Sequence, residues 1–209
     1  SLGASYKDGN TEKTLYTMNL KGDRFAPKSD WINSLYGEYG KTEGEQTEGQ
    51  LRGQSNYRYK FGSENFYGGI FGEGYHDALK DINARIKIGP NVGYYFINEE
   101  DMKLDGSFGI NEVYERTSEG EDTYAEWRVA GNFLWTISEA GSAYLNAEYS
   151  ANVEDYEDGE GLLVLGAKSQ LNEKLAMFIE LREEYDNMPT SGTDHTDTTI
   201  IAGLSYDIL

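Results

Sequence analysis

Thr199-Ile-Ile-Ala-Gly-Leu-Ser-Tyr-Asp-Ile-Leu209 reads with a period of two: Ile200, Ala202, Leu204, Tyr206 and Ile208 fall on one face, and Gly203, Ser205 and Asp207 on the other. Successive side chains of a β-strand point to opposite faces, so this alternation predicts a strand between an apolar and a polar medium. Two further segments behave alike. Ile82, Ala84, Ile86, Ile88, Val92, Tyr94 and Phe96 alternate with Asn83, Arg85, Lys87, Asn91 and Tyr95. Leu175, Met177, Ile179 and Leu181 alternate with Glu180, Arg182 and Glu184.

Extended along the chain, the same template predicts twelve strands, near 1–7, 12–22, 30–41, 47–60, 64–76, 81–97, 101–116, 122–137, 142–154, 161–171, 174–186 and 197–209. Their connections are of two alternating kinds. Gly62-Ser63-Glu64, Asn98 to Asp101, Ser138 to Gly141 and Asn172 to Lys174 are short, whereas the loops around 42–48, 76–81, 116–123, 154–161 and 186–197 are longer and polar. One segment resists the pattern. In 101–116, Met102, Leu104, Phe108 and Ile110 make an apolar face that Glu112 would follow outward. A β-bulge near Asn111, returning Val113 to the outer face, would resolve this; an early exit above the membrane would serve equally.

Composition narrows the class. The 209 residues suffice for one domain over 1–209 with a sizeable interior. A net charge of -19 argues against a nucleic-acid surface, which needs clustered positive charge. The 17 Tyr, 8 Phe and 3 Trp argue against an acidic disordered chain, which would be poor in aromatics. With 25 Gly and 3 Pro, strands and tight turns are favoured over helices. The absence of cysteine rules out disulfides and thiolate metal sites. No run approaches the roughly 18–20 apolar residues of a membrane helix, but transmembrane strands hide their hydrophobicity in alternation. No signal peptide is visible, so the sequence reads as starting like a mature chain, with Ser1 inside the first strand.

A soluble sandwich or lipocalin-like barrel also alternates, with its apolar face inward. Three features favour the inverse arrangement. One face carries mid-strand charges: Lys21, Arg52, Arg58, Lys60, Arg85, Lys87, Lys103, Arg128, Lys168 and Arg182, with Glu38, Glu73, Asp105, Glu126, Glu148, Glu180 and Glu184. The other carries aromatics near strand ends: Trp31, Tyr57, Tyr59, Phe66, Tyr94, Phe96, Phe133, Trp135 and Tyr206 towards the short turns, and Tyr39, Trp127 and Tyr149 towards the long loops. Two such belts are what the two lipid–water interfaces select. The strands also run to roughly 10–15 residues, enough to cross a bilayer when tilted, where soluble strands average about 5–6. The expected fold is therefore all-β: a transmembrane up-and-down antiparallel barrel of about twelve strands, with short periplasmic turns, longer acidic outer loops and both termini in the periplasm.

Several phrases match a known family. Gly3-Ala-Ser-Tyr-Lys-Asp-Gly-Asn-Thr11, with its Asp8-Gly9-Asn10-Thr11 turn, Tyr57-Arg-Tyr-Lys-Phe61, Gly89-Pro-Asn-Val-Gly-Tyr-Tyr-Phe96, Arg128 with Phe133-Leu-Trp135, and the closing Gly203-Leu-Ser-Tyr-Asp-Ile208 occur in order over nearly the whole chain. They resemble the YdiY-like salt-induced outer-membrane protein family, a domain-of-unknown-function family. Asp8 stands where Ser is usual in that family's first turn. The resemblance implies an outer-membrane barrel and carries over no catalytic or binding residue. The last strand also resembles the signal read by the barrel-assembly machinery, through Gly203, Tyr206 and Ile208, with Leu209 replacing the usual terminal aromatic.

Three places in the chain could carry chemistry. His76 and His195 are the two histidines, both in predicted outer loops; Ser191, Asp194 and His195 are adjacent on a loop, without the rigid scaffold that a triad needs. No enzyme is expected. Acidic clusters at Glu43, Glu45 and Glu48, at Glu115, Glu119, Glu121 and Asp122, at Glu154, Asp155, Glu157, Asp158 and Glu160, and at Glu183, Glu184, Asp186, Asp194 and Asp197 read mainly as a hydrated rim. They could also hold divalent cations bridging to lipopolysaccharide phosphates; no other cofactor is expected. The lumen is the third site. Arg52, Arg58, Arg85, Lys87, Arg128 and Arg182, with Glu126, Glu148 and Glu180, would set the preference of a narrow passive channel, anions being favoured by a continuous basic wall. The alternative is a lumen plugged by Arg–Glu pairs and hydrogen-bonded Tyr, Asn and Gln, in a structural barrel that binds lipid, lipopolysaccharide or a partner protein.

Overall fold

The structure, a computed structural model, describes residues 2–7, 13–42, 45–62, 65–189 and 194–206. Thirteen strands are found among these residues: β1 (Leu2–Lys7), β2 (Lys13–Lys21), β3 (Arg24–Phe25), β4 (Ser29–Thr42), β5 (Glu45–Phe61), β6 (Phe66–Asp77), β7 (Ile82–Asn98), β8 (Met102–Arg116), β9 (Glu121–Ser138), β10 (Gly141–Asn152), β11 (Gly159–Gln170), β12 (Leu175–Asp186) and β13 (Thr196–Tyr206). Sequence neighbours pair antiparallel except β2 with β3, which both pair with β4, and β1 pairs with β13 at Leu2↔Leu204 and Gly3↔Gly203. The two-residue β3 continues the β2–β4 register, with Lys21↔Ser34 followed by Arg24↔Trp31. β2 and β3 are thus one stave interrupted at Gly22, and the sheet closes as twelve staves. The β1–β13 pairs bring the two ends of the sheet together into a nearly closed barrel, as a bilayer requires of a spanning sheet.

Local chemistry sets the hairpins. Gly62 takes the left-handed φ of 57° after β5. Asp77 accepts the backbone N–H groups of Leu79 (2.9 Å) and Lys80 (3.1 Å), and Asn172 those of Lys174 and Leu175 (both 3.0 Å). The sequence-predicted turns at 8–11, 43–44, 63–64 and 190–193, and the end of the assembly signal at Ile208, lie outside the described residues.

The wall is inverted relative to a soluble barrel. Val92, Phe96 and Ile200 are 62–65% exposed on the outer face, while Asp30, Arg58, Glu126 and Glu180 are no more than 4% exposed inside. Charge is buried and hydrocarbon is bare, which only an apolar surrounding stabilises. Rings edge this face. At the short-turn end Trp31 stands opposite Tyr57, Phe66 packs on Tyr94 at 4.7 Å, and Tyr94 on Phe96 at 5.3 Å. Tyr59, Trp135 and Tyr206 are exposed there, and Phe133 pairs with Leu104. At the long-loop end Trp127 packs on Tyr149 at 5.5 Å, and Tyr39 is exposed at the same end of β4.

Two outer-face expectations are corrected. The β8–β9 register runs unbroken through Asn111↔Glu126, Glu112↔Ala125 and Val113↔Tyr124, so there is no bulge near Asn111. Val113 faces inward with no exposed surface, and Glu112 stays on the outer face. Its cross-strand pair lies one outward-facing step beyond Ile110↔Trp127, beside the long-loop belt, which corresponds to the early exit. Ile82 leaves the outer face. The β6–β7 register shifts between Tyr75 and Asp77, setting Ile82 opposite the inward Asp77 and burying it.

Leu165, 47% exposed at the middle of β11 between Leu145 and Leu181, tests the inverted wall. Leu165→Arg should lower the stability of the vesicle-embedded barrel by roughly 2–4 kcal/mol, the cost of a cation at the bilayer midplane; denaturant titration in lipid vesicles measures it.

Candidate lumenal site

The twelve-stave barrel is wider than the eight-stranded barrels that side chains simply fill, and its lumen holds a lattice of charges and phenols. Near the short turns, Lys60 pairs with Asp30 (2.9 Å) and Arg58 with Asp105 (3.2 Å). Tyr95 donates its hydroxyl to Asp30 (2.8 Å) and Tyr67 to Asp105 (2.8 Å). At mid-height Lys87 pairs with Glu126 (2.8 Å), which also accepts from Asn111 (2.9 Å). Arg128 pairs there with Glu148, and Arg52 lies 3.9 Å from Glu73. Near the long loops Arg85 pairs with both Glu115 and Glu160, and Arg182 with Glu184 (2.9 Å). Tyr144 donates to Glu180 at 2.6 Å.

Some links cross the lumen. Arg85 on β7 and Glu160 on β11 are separated by three strands, so their pair is a strut rather than a wall contact. Rings orient the guanidiniums: Arg52 lies over Tyr75 at 4.6 Å, Arg58 over Tyr67 at 4.6 Å, Arg128 over Phe71 at 4.0 Å and Arg182 over Tyr36 at 4.1 Å. Two glycines make room for flat phenols. Tyr67 faces Gly93 and Tyr144 faces Gly166 across the ladder, each ring occupying the space a Cβ would need.

Described residues line two open spaces inside the barrel. The larger, about 230 Å³, reaches from Lys21, Asp23 and Ile32 near the short turns to Arg52, Arg128, Glu148 and Arg182. The smaller, about 20 Å³, lies towards the long loops among Lys80, Glu160, Glu184 and Asp186. Arg52 lines both. Beside the larger cavity's short-turn end, the Asp23 carboxylate accepts the backbone N–H of Asn33 at 3.2 Å.

A family model described as "Protein of unknown function, DUF481" matches residues 1–208. The chain belongs to this family. Among solved structures, it is similar to the NanC porin in a rhombohedral crystal form, with a TM-score of 0.61 and 10% identity over 100% of both chains. It is also similar to the KdgM porin (TM-score 0.53) and to the KdgM porin in complex with disordered oligogalacturonate (0.52), each at 10% identity over 100% of this chain and 99% of the other. At such identity the likeness is one of fold, an all-β porin-type barrel. A search of the curated proteins gave no match.

The structure brings Arg52, Arg58, Arg85, Lys87, Arg128, Arg182, Glu126, Glu148 and Glu180 together inside the barrel. It does not give a continuous basic wall, because carboxylates interleave with each cation. Glu115 and Glu160, read from sequence as rim residues, turn inward as partners of Arg85. Asp30 and the phenols of Tyr36, Tyr67, Tyr75 and Tyr144 were missed as lumenal groups. A signal existed in β6, where Tyr67, Phe71 and Tyr75 share the parity of Glu73. The two histidines are held by backbone: His76 Nδ1 donates to Ile82 O (2.9 Å) and His195 Nδ1 to Asp186 O (2.9 Å). Ser191 lies outside the described residues. Among the described residues no group of three or more His, Asp or Glu is disposed to hold a metal ion.

Lys87 and Glu126 have side chains only 6% and 4% exposed. Lys87→Met should destabilise the barrel by roughly 3–5 kcal/mol, since it strands a buried carboxylate. Lys87→Met with Glu126→Gln should restore most of the loss, as read by denaturation in vesicles.

Proposed function

We propose that this chain is an integral protein of the bacterial outer membrane, with the short turns towards the periplasm, and that it forms a narrow passive channel for small solutes with a preference for anions. The observation that carries the reading is the position of Arg52. Its side chain borders both the larger cavity, about 230 Å³ and reaching towards the short turns, and the smaller one towards the long loops. A cation held at the narrowest point favours anions and retards cations. The porin-type fold supports a channel, and the KdgM porin's complex with oligogalacturonate, an acidic sugar chain, is an instance of that fold meeting an anionic solute. The exposed apolar wall with its ring belts supports contact with membrane lipid, and the loop carboxylates suit divalent cations shared with lipopolysaccharide. Gly203 and Tyr206 on β13 are offered to the barrel-assembly machinery during insertion.

The interleaved ion pairs favour a second reading, a closed structural barrel that binds lipopolysaccharide or a partner protein. Planar-bilayer recording separates the two. Arg52→Ser should raise single-channel conductance, and Arg52→Glu should move the reversal potential in a salt gradient from anion towards cation preference. Absence of currents from folded wild-type and Arg52→Ser barrels would leave the closed barrel standing.

A further inference from the structure

Arg58, Lys60, Arg85, Lys87, Arg128 and Arg182 each meet a lumenal carboxylate, whereas Lys21 and Lys103 rest on rings. Lys21 Nζ on β2 lies 4.6 Å from the centre of the Tyr144 ring on β10. Lys103 Nζ on β8 lies 4.4 Å from that of Phe25 on β3. Among the described residues neither ammonium is ion-paired with a carboxylate. Asp23, two residues beyond Lys21, accepts the backbone N–H of Asn33 at 3.2 Å.

Both contacts cross the lumen. In the ring of twelve staves the β2–β3 stave lies opposite β9, and the two partner strands, β8 and β10, flank β9. Four strands separate β2 from β10 one way round, and four separate β3 from β8 the other way. The two lysine–ring contacts are therefore near-diametric bars across the short-turn half of the barrel. Strand parity fixes them. Phe25 pairs with the inward Asp30, so its ring points into the mouth, where it stays 54% exposed. Lys103 shares the inward parity of Asp105. The hairpin that carries Phe25 is anchored by Lys60, whose Nζ donates to Ala26 O (3.3 Å) and pairs with Asp30. Behind this mouth, Lys21 lines the larger cavity.

A ring holds an ammonium more weakly than a carboxylate does, because it offers a quadrupole rather than a full charge. An anion arriving from the short-turn end can therefore draw either lysine off its ring. A cation finds the bar in place and like charge upon it. We infer that Lys21 and Lys103 form an anion-selective entrance at the short-turn end of the barrel, each lysine leaving its ring to pair with an entering small anion. The inference rests on the channel reading for its purpose and deepens it, assigning the entry filter to residues other than Arg52. Charge selection at the entrance is nonetheless measurable without conduction.

The test places a reporter thiol, Asn146→Cys, in the larger cavity of a chain that has no other cysteine. Vesicle-embedded barrels are treated from the short-turn side with 2-sulfonatoethyl or 2-(trimethylammonio)ethyl methanethiosulfonate. Each rate is divided by that of the same reagent with a free thiol in solution. The resulting anion-to-cation ratio should exceed unity and fall about fivefold in Lys21→Gln. It should fall likewise in Lys103→Gln and persist in Lys21→Arg. Phe25→Leu, which removes an exposed ring, should quicken labelling by both reagents and keep the ratio. A ratio at or below unity in the parent, a ratio unchanged in both glutamine variants, or a Phe25→Leu barrel labelled no faster than the parent would each overturn the entrance. Charge preference kept in a barrel that passes no current would contradict the channel and leave the entrance intact; current with charge-blind labelling would do the reverse.

Discussion

A charge on a strand that crosses a bilayer can face only inward, and once inside it must be neutralised within a few ångströms. Much of this molecule follows from that constraint. Arg58, Arg85, Lys87, Arg128 and Arg182 all point into the lumen, and each finds a carboxylate there: Asp105, Glu115 with Glu160, Glu126, Glu148 and Glu184. Taking such ions out of water costs several kcal/mol each, recovered only with close partners and further hydrogen bonds. The phenols of Tyr67 and Tyr95 supply those bonds on Asp105 and Asp30. The lattice therefore braces the barrel and narrows it at once. The cavities are what the lattice leaves unfilled.

The same constraint explains why the arginines hold fixed positions. A guanidinium stacked on a ring and paired at its edge has few rotamers left. Arg52 on Tyr75, Arg128 on Phe71 and Arg182 on Tyr36 are placed in this way around the space where the two cavities approach. Preorganised donors of this kind select a ligand by geometry as well as by charge.

Sequence alone carried the architecture far because period two is a property of single strands. It located the twelve staves, the outward rings from Trp31 to Tyr206 and the inward parity of Arg52 or Glu126. It could not carry relations between distant strands. Glu160 looks like one more loop carboxylate beside Glu157 and Asp158, and only the closed barrel brings it across from β11 to Arg85 on β7. Asp30, at the start of β4, gives no hint that Lys60 and Tyr95 converge on it. Local parity also fails where register slips or a strand leaves the membrane: Ile82 turns inward after the shift in β6–β7, and Glu112 stays outward without a bulge because it lies beside the belt of Trp127.

If the barrel conducts as proposed, the two cavities that Arg52 borders must connect along the axis. The chain has no cysteine, so a single introduced thiol reports without background. With Asn146→Cys in the short-turn cavity, a small charged methanethiosulfonate added from the long-loop side of a sealed vesicle should label the thiol, and a bulky maleimide should not. Failure of the small reagent to label from that side, while it labels freely from the other, would show a closed barrel and contradict the account.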